Sequence, residues 1–454
     1  MRIELETALA RAAGRLSRLA GRGGGTTLPG KLLARMDPDA VATLASRLPA
    51  GTALLSATNG KTTTARMAAE ILAPGFRLAH NAAGANLVSG IASSLVAARD
   101  AQLGLFEVDE AALPELAASL RPRAVCLGNL FRDQLDRYGE LELVAVRWRA
   151  MVDELADETL LVVNADDPLV AELGRSRPET VTFGVDDPQQ GGPVLQHAAD
   201  SKYCVRCGTP YVYAAAYVGH LGDYSCPACG HSRPPLEIAA RGVELDGIES
   251  VSFDLVCPEG VRRVRLQVPG LHNVYNALAA ASLTRGVGMP LDEIAAGLER
   301  ASAAFGRFER IAVDGKTLLV LLIKNPAGAN ETLRTLLQGD GPVLAVVALN
   351  DGIADGRDVS WIWDVDFEPL MARLDRIVVS GERAAELALR FSYGGMPDRD
   401  IEVVADLAAA LDRGLDLTEP GGELVFLPTY TAMLGLQRVI SERGLAKPYW
   451  ERAA

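Results

Sequence analysis

Positive charge is scarce in this chain: its 454 residues carry 45 Lys and Arg against 58 Asp and Glu, a formal charge of −13 at pH 7. That is the wrong sign for a protein that coats nucleic acid, so an anionic ligand would have to be met by a few local cations. Long apolar runs are missing as well. None approaches the roughly 18 residues of a membrane span, and the N-terminus MRIELETALARAAGRLSRLAGR has acids among its first residues and no continuous apolar segment. A cytoplasmic protein with at most peripheral membrane contact is expected. No repeat of about 20 to 50 residues and no low-complexity tract occurs, which argues against a solenoid or a linker-rich chain.

What is present is ordinary globular material. Hydrophobic residues make up 49% and charged residues 23%, and the length calls for two or three domains rather than one core. Near the start, Leu5, Leu9, Leu16 and Leu19 stand with Arg11, Arg15, Arg18 and Arg22 at helical spacing. A basic amphipathic helix of this kind either packs on the body of the protein, the commoner use, or touches a membrane surface.

Between residues 50 and 185 the β-rich runs TALLSAT, LGLFEVD, AVCLGNL, TLLVVNA and TVTFGV alternate with helical stretches. That rhythm predicts a largely parallel sheet with helices on both faces. Residues 238–268 hold more strand-like sequence, and LHNVYNALAAASLTRGVG then predicts a helix closed by glycine. A second α/β pattern follows residue 306, with strands TLLVLLI, VLAVVAL, RIVVSG and LVFLPT between helix-like stretches.

The loop SATNGKTTT at residues 56–64 follows the first of these strands and precedes the helical ARMAAEILA. Small residues let backbone N–H groups close on phosphate oxygens, and a following helix N-terminus adds donors and a favourable dipole. Lys61 would meet the β and γ phosphates of a nucleotide and the Thr62 hydroxyl a Mg2+ ion. The general phosphate-loop pattern wants glycine where this chain has Leu55.

Cys204-Val-Arg-Cys207 and Cys226-Pro-Ala-Cys229 form two CxxC pairs separated by residues 208–225. Two such knuckles supply the four soft ligands of a tetrahedral zinc. With no position left for water, the metal would be structural and would staple an inserted ribbon. Two disulfides are the rival reading, which a reducing cytoplasm disfavours. His220 and His231 are not needed as ligands and are expected at the surface, whereas the isolated Cys126 and Cys257 are expected to be buried. No cysteine stands in a nucleophile's setting.

Further segments follow in order: NADDP at 164–168, GLHNVYNALAA at 270–280, GRFE at 306–309 and KNPAG at 324–328. Together with the loop they resemble the Mur ligase superfamily, enzymes that join amino acids to peptidoglycan precursors and to folate. The four-cysteine insertion and LNDGIADGRDVSWIWDVDFE at 349–368 make the chain similar to the MurT family, the ligase subunits of the two-component lipid II isoglutaminyl synthase.

The resemblance implies an α/β fold with an N-terminal helical segment over 1–47 and a Mur ligase-type central P-loop ATPase domain over 48–305. The zinc ribbon would be inserted at about 200–235, and a C-terminal Rossmann-like α/β domain over 306–454 would contact a glutaminase. The implied activity is ATP-dependent amidation of the α-carboxylate of D-isoglutamate in the lipid II stem peptide. It would run through an acyl phosphate at the inner face of the membrane, with ATP, Mg2+ and structural Zn2+ as cofactors. Thr58, Asn59, Gly60, Lys61, Thr62 and Thr63 would hold the nucleotide, Thr62 and Glu107 the Mg2+, and Asn276 the adenine, while Arg307 would reach the phosphates.

Ammonia would come from a separate GatD-like glutaminase whose Cys-His pair is completed by an aspartate of this chain. By the family pattern that is Asp358, with Asp355 of the same segment as the alternative. Trp361 and Trp363 beside it would form a docking patch. Four positions depart from the pattern: Ala57 replaces a usual glycine, Leu321 the acidic ribose contact, Lys324 a histidine, and Gln134 another histidine. No carbamylated lysine can be located. The competing expectations are a free-standing amino-acid ligase, distinguished by product mass, and a non-catalytic scaffold, distinguished by failure to release phosphate.

Overall fold

A computed structural model describes residues 2–19, 27–133, 141–195, 199–301, 307–339 and 341–446, with side chains except at residues 2, 17–19 and 307. Its first sheet is built from β1 (Thr52–Ser56), β2 (Leu78–His80), β3 (Leu103–Glu107), β4 (Ala124–Leu127), β5 (Leu160–Asn164) and β6 (Thr180–Val185). A separate hairpin follows, β7 (Val212–Val218) and β8 (Leu221–Ser225), and then the sheet resumes with β9 (Ile238–Asp246), β10 (Ser250–Cys257) and β11 (Gly260–Leu266). The order across this nine-stranded sheet is β11-β10-β9-β6-β5-β4-β1-β3-β2. From β9 to β2 every pairing is parallel, and β10 and β11 add an antiparallel edge.

The parallel centre explains the sequence of its strands. TALLS, LGLFE and AVCL are apolar without alternation because both faces are covered. Leu55 and Cys126 face the helices Lys61–Leu72 and Leu271–Val287. Leu54 and Phe106 point the other way, into the core that contains Ile91 and Trp148. The helix Leu271–Val287 ends at Gly288, whose φ of 105° is left-handed, so the predicted glycine stop is there.

The second sheet has the order β12-β13-β17-β14-β15-β16, formed by β12 (Arg307–Val313), β13 (Lys316–Leu321), β14 (Ala345–Ala348), β15 (Ile377–Ser380), β16 (Ile401–Val403) and β17 (Glu423–Pro428). All pairings are parallel except the β12–β13 hairpin at the edge. Three edge strands, β2, β12 and β16, were not legible in the sequence. Two are only three residues long, and RFERIAV mixes charge with apolar residues.

The helices Arg2–Leu19, Leu28–Met36 and Ala40–Ala45 cover the helix Val88–Ala97. Their crossing depends on Gly30, where a Cβ would fall 1.9 Å from the Ser89 carbonyl oxygen. One face of the first helix therefore packs on the body of the protein through Ile3 and Ala10.

Candidate active site

Because β3 and β4 flank β1 in parallel register, their C-terminal ends bring three segments together. These are the loop after Ser56, Glu107 opposite Leu55, and Asn129 just past β4. Such an edge is where open α/β sheets take ligands. Leu55 lies in the β1 core, so the turn is confined to residues 57–60 and no glycine is required at position 55. Gly60 caps the helix Lys61–Leu72 with φ 88°, and a Cβ there would fall 1.9 Å from Asn276 Oδ1. The Ala57 departure has a local cause: its methyl occupies the space left by Gly128, where a Cβ would come within 2.8 Å of it.

The loop backbone is held from the side. Asn59 N–H donates to Asn129 Oδ1 (2.9 Å), Asn129 Nδ2 donates back to Asn59 O (3.0 Å), and Phe131 N–H donates to Thr58 Oγ1 (3.0 Å). Lys61 Nζ donates to Ala57 O and to Glu110 Oε2, both at 2.6 Å. Burial alone would lower the Lys61 pKa; Glu110 first, then Glu107 and Asp109, outweigh that and raise it above its ordinary value. Glu110 belongs to no motif in the sequence. Its signal was the run of three acids in FEVDE, all of which are buried.

Thr62 and Glu107 face a common gap. A Cβ on Gly84, whose φ is 75°, would lie 3.6 Å from Glu107 Oε1 and 3.7 Å from Thr62 Oγ1. A hydroxyl and a carboxylate around a space left by a missing side chain fit a small, hard cation such as Mg2+.

The second sheet closes on the same loop. Asn59 and Asn325 exchange side-chain hydrogen bonds at 3.2 and 3.0 Å, and Asn325 also caps the helix Pro326–Leu336 through Gly328 N–H. Lys324, in the place of the usual histidine, donates to Thr58 O (3.0 Å) and to Asp133 Oδ2 (2.7 Å). Between the two sheets lies an open cleft lined by Asn59, Gly60, Thr63, Asn276, Leu321 and Lys324. His272 and Phe308 also line it, with stacked rings 6.3 Å apart at 21°.

Asn276 is buried at this wall. It accepts from Thr64 Oγ1 (3.3 Å) and donates to Asn273 Oδ1 (2.9 Å), so its side chain is held inside the protein. The Arg307 side chain and residue Gln134 lie outside the described residues.

The four ribbon cysteines converge, with all their sulfurs within 4.8 Å of one another. Cys204 and Cys229 are 3.6 Å apart and Cys207 and Cys226 3.5 Å, with every cysteine free. A Zn–S bond of about 2.3 Å gives a tetrahedron with edges of about 3.8 Å, so the donor set fits a structural zinc and excludes disulfides. Cys126 and Cys257 are buried as expected, and burial pushes the Cys126 thiol up to about 12.

The two ribbon histidines are not at the surface; both are buried. His231 is bonded to Tyr211 OH (2.7 Å) and Glu172 Oε2 (3.0 Å), which ties the ribbon to the helix Pro168–Gly174. His220 packs its ring 4.7 Å from that of Phe131, with Nε2 3.3 Å from Asp167. For His231 the expectation failed because Tyr211 and the distant Glu172 supply the hydrogen bonds that let a histidine be buried, and for His220 because the Asp167 carboxylate faces its ring. Asp166 and Asp167 of NADDP are structural hubs. Asp167 caps the helix Pro168–Gly174, while Asp166 accepts from Tyr275 OH (2.6 Å), Arg233 (3.1 Å) and Val185 N–H (2.9 Å). Burial pushes the Asp166 carboxyl up to about 6 against the pull of Arg233.

Asp355 and Asp358 differ in setting. Asp355 is buried, accepts from Thr431 N–H (2.8 Å) and from the Thr431 hydroxyl, and is raised in pKa by burial. Asp358 is exposed, and the Ser360 side chain and N–H (2.9 Å) hold its pKa below the ordinary value. Nearby, Trp363 is 44% exposed and stands edge-on to Tyr393, 76% exposed, at 5.9 Å, whereas Ile362 between the two tryptophans is buried.

Comparison with known proteins places this geometry in context. Residues 56–209 match the Mur ligase middle domain and residues 322–433 the MurT ligase C-terminal family. The chain is 32% identical over 437 residues to the MurT subunit of lipid II isoglutaminyl synthase (glutamine-hydrolysing) of Staphylococcus aureus strain N315, covering 94% of each chain. It is 31% identical to the MurT subunit of Streptococcus pneumoniae strain R6, covering 98% of this chain and 99% of the other. Among solved structures, a pseudomurein peptide ligase type C from Methanothermus fervidus superposes with a TM-score of 0.71 at 20% identity, over 88% of this chain and 80% of that one. MurF ligase from Thermotoga maritima, solved in complex with ADP, gives 0.65 at 15% identity over 93% and 85%.

Proposed function

The chain belongs to the MurT family of the Mur ligase superfamily, and on that premise we propose that it is the ligase subunit of a lipid II isoglutaminyl synthase. It uses ATP to amidate the α-carboxylate of D-isoglutamate in the lipid II stem peptide. The observation that carries this reading is the convergence of Lys61, Thr62 and Glu107 around one phosphate-sized loop that the second sheet closes through Asn325.

A carboxylate resists amines because its leaving group would be oxide. In the proposed reaction a substrate carboxylate oxygen attacks the γ phosphorus and ADP leaves. Ammonia then attacks the acyl carbon, phosphate departs, and a proton is lost to give the amide. Lys61, drawn from Glu110 to the phosphates, neutralises charge on the transferring group, and the loop N–H groups and the Gly60-capped helix orient it. Thr62 and Glu107 would hold Mg2+, which would supply positive charge to stabilise the transferring phosphoryl group. The cleft between Asn276, Leu321 and the His272–Phe308 stack takes the nucleoside. Zinc at Cys204, Cys207, Cys226 and Cys229 is structural.

Ammonia comes from a separate glutaminase subunit. Exposure and a lowered pKa support Asp358 over the buried Asp355 as the carboxylate that orients a partner's imidazole. Of the two tryptophans, Trp361 packs against the core of the second sheet, and Trp363 with Tyr393 serves as the docking patch. No described helix is long and apolar enough to cross a membrane; the lipid substrate places the reaction at the inner membrane face. With the glutaminase present, Asp358→Asn abolishes glutamine-dependent amidation and spares amidation with free ammonia. Equal loss of both activities would contradict the assignment.

A further inference from the structure

The packed face of the helix Arg2–Leu19 leaves its opposite face bare. There Leu5, Leu9 and Leu16 are 65%, 51% and 67% exposed, with Ala8 and Ala12 between them. Their spacing makes one continuous apolar stripe along a helix. Leu28 and Leu87, at the starts of the next helix and of the helix Val88–Ala97, are exposed too, and these helices cross where Gly14 meets Pro29 and Gly30 meets Ser89.

The charge around the stripe runs against the rest of the chain. Residues 1–47 carry eight Lys and Arg against four Asp and Glu, although acids outnumber bases overall. Arg15, Lys31 and Arg35 are exposed, whereas Glu4 is paired with Arg47 and Glu6 is buried. The same region adjoins the candidate active site. Leu87 lies three residues from Gly84, the position that faces Thr62 and Glu107, a span of at most about 11 Å of chain.

We propose that the helix Arg2–Leu19 is an interfacial anchor that lies flat on an anionic lipid bilayer, with Leu5, Leu9 and Leu16 in the acyl boundary and the surrounding cations among the headgroups. Apolar burial and headgroup attraction act together, and a single short stripe gives reversible attachment rather than permanent insertion. The use of the anchor, bringing the ligase site to a lipid-borne substrate, rests on the function proposed above; the binding itself does not.

The test is sedimentation of the full chain with vesicles of phosphatidylcholine alone or mixed with phosphatidylglycerol, at low and high salt. The chain is expected to bind the anionic vesicles, with affinity lowered at least tenfold by high salt, by omitting phosphatidylglycerol, or by the triple substitution Leu5→Gln, Leu9→Gln and Leu16→Gln. Circular dichroism and thermal melting should show the triple variant still folded, and Arg15→Glu with Lys31→Glu supplies a second variant with the leucines intact. Absence of binding to anionic vesicles, or equal binding by wild type and both variants, overturns the proposal. So does a wild-type dimer that the triple variant converts to monomer, because the stripe would then face a second copy. Amidation of a water-soluble stem peptide separates the two readings: its failure with vesicle binding intact refutes the function, and its success with vesicle binding absent refutes the anchor.

Discussion

Ala57 and Gly128 divide one space between them. Placing a Cβ at residue 128 brings it 2.8 Å from that of Ala57, so Gly128→Ala must push the phosphate loop outward at a cost of about 1–3 kcal/mol. Nucleotide titration and thermal melting should show weaker binding and lower stability in Gly128→Ala, and recovery of most of both when Ala57→Gly is added. Additive losses in the double variant would contradict the pairing. Asp166 makes a pH-dependent prediction. Its folded pKa of about 6 lies above the ordinary 3.8, so the folded state holds the extra proton between those values and stability falls as pH rises through them. The full effect is about 3 kcal/mol. In melts from pH 4 to 7, the stability of wild type relative to Asp166→Asn should decline up to pH 6 and then level; a rise with pH would contradict the assignment. Lys61, Thr62 and Glu107 were legible as a group because their motifs are local. Glu110 and Gly128 were not, since their roles depend on which strand lies beside which.

The ribbon was the most legible element, because metal ligands must recur at fixed short spacing whatever surrounds them. Its attachment was not legible. His231 reaches Glu172 and His220 reaches Asp167 only once the hairpin β7–β8 has folded back, and Val218 and Leu221 of that hairpin then line the cleft between the two sheets. Metal loss should therefore be felt beyond the ribbon. Chelation is expected to make the four ribbon thiols reactive to alkylation, lower the melting temperature by about 5 °C or more, and weaken nucleotide binding. Cys126, whose thiol is held at about 12, should stay unmodified while the protein remains folded. Alkylation mapping by peptide mass checks this, and reaction of all four ribbon thiols without chelator would argue against a bound metal.

Across the whole molecule, the order of motifs announced two α/β units, and the apolar, unalternating strands announced parallel sheets buried on both faces. How the units meet was hidden. Lys324 looked like a departure from the family pattern, yet it bridges Thr58 of the loop and Asp133, and Asn325 pairs with Asn59 beside it. Those contacts join residues far apart in the chain, and no local pattern encodes them. They also give the clearest physical reason to expect catalysis at this junction, since a carboxylate, a phosphoryl group and ammonia must meet in a site that closes against water. The central claim is that the carboxylate is activated as an acyl phosphate. Lipid II carrying heavy oxygen in the α-carboxylate, incubated with ATP, glutamine, this chain and its glutaminase, tests it directly by mass analysis of the released phosphate. One heavy oxygen per amide formed is the predicted result, and phosphate without label would contradict it.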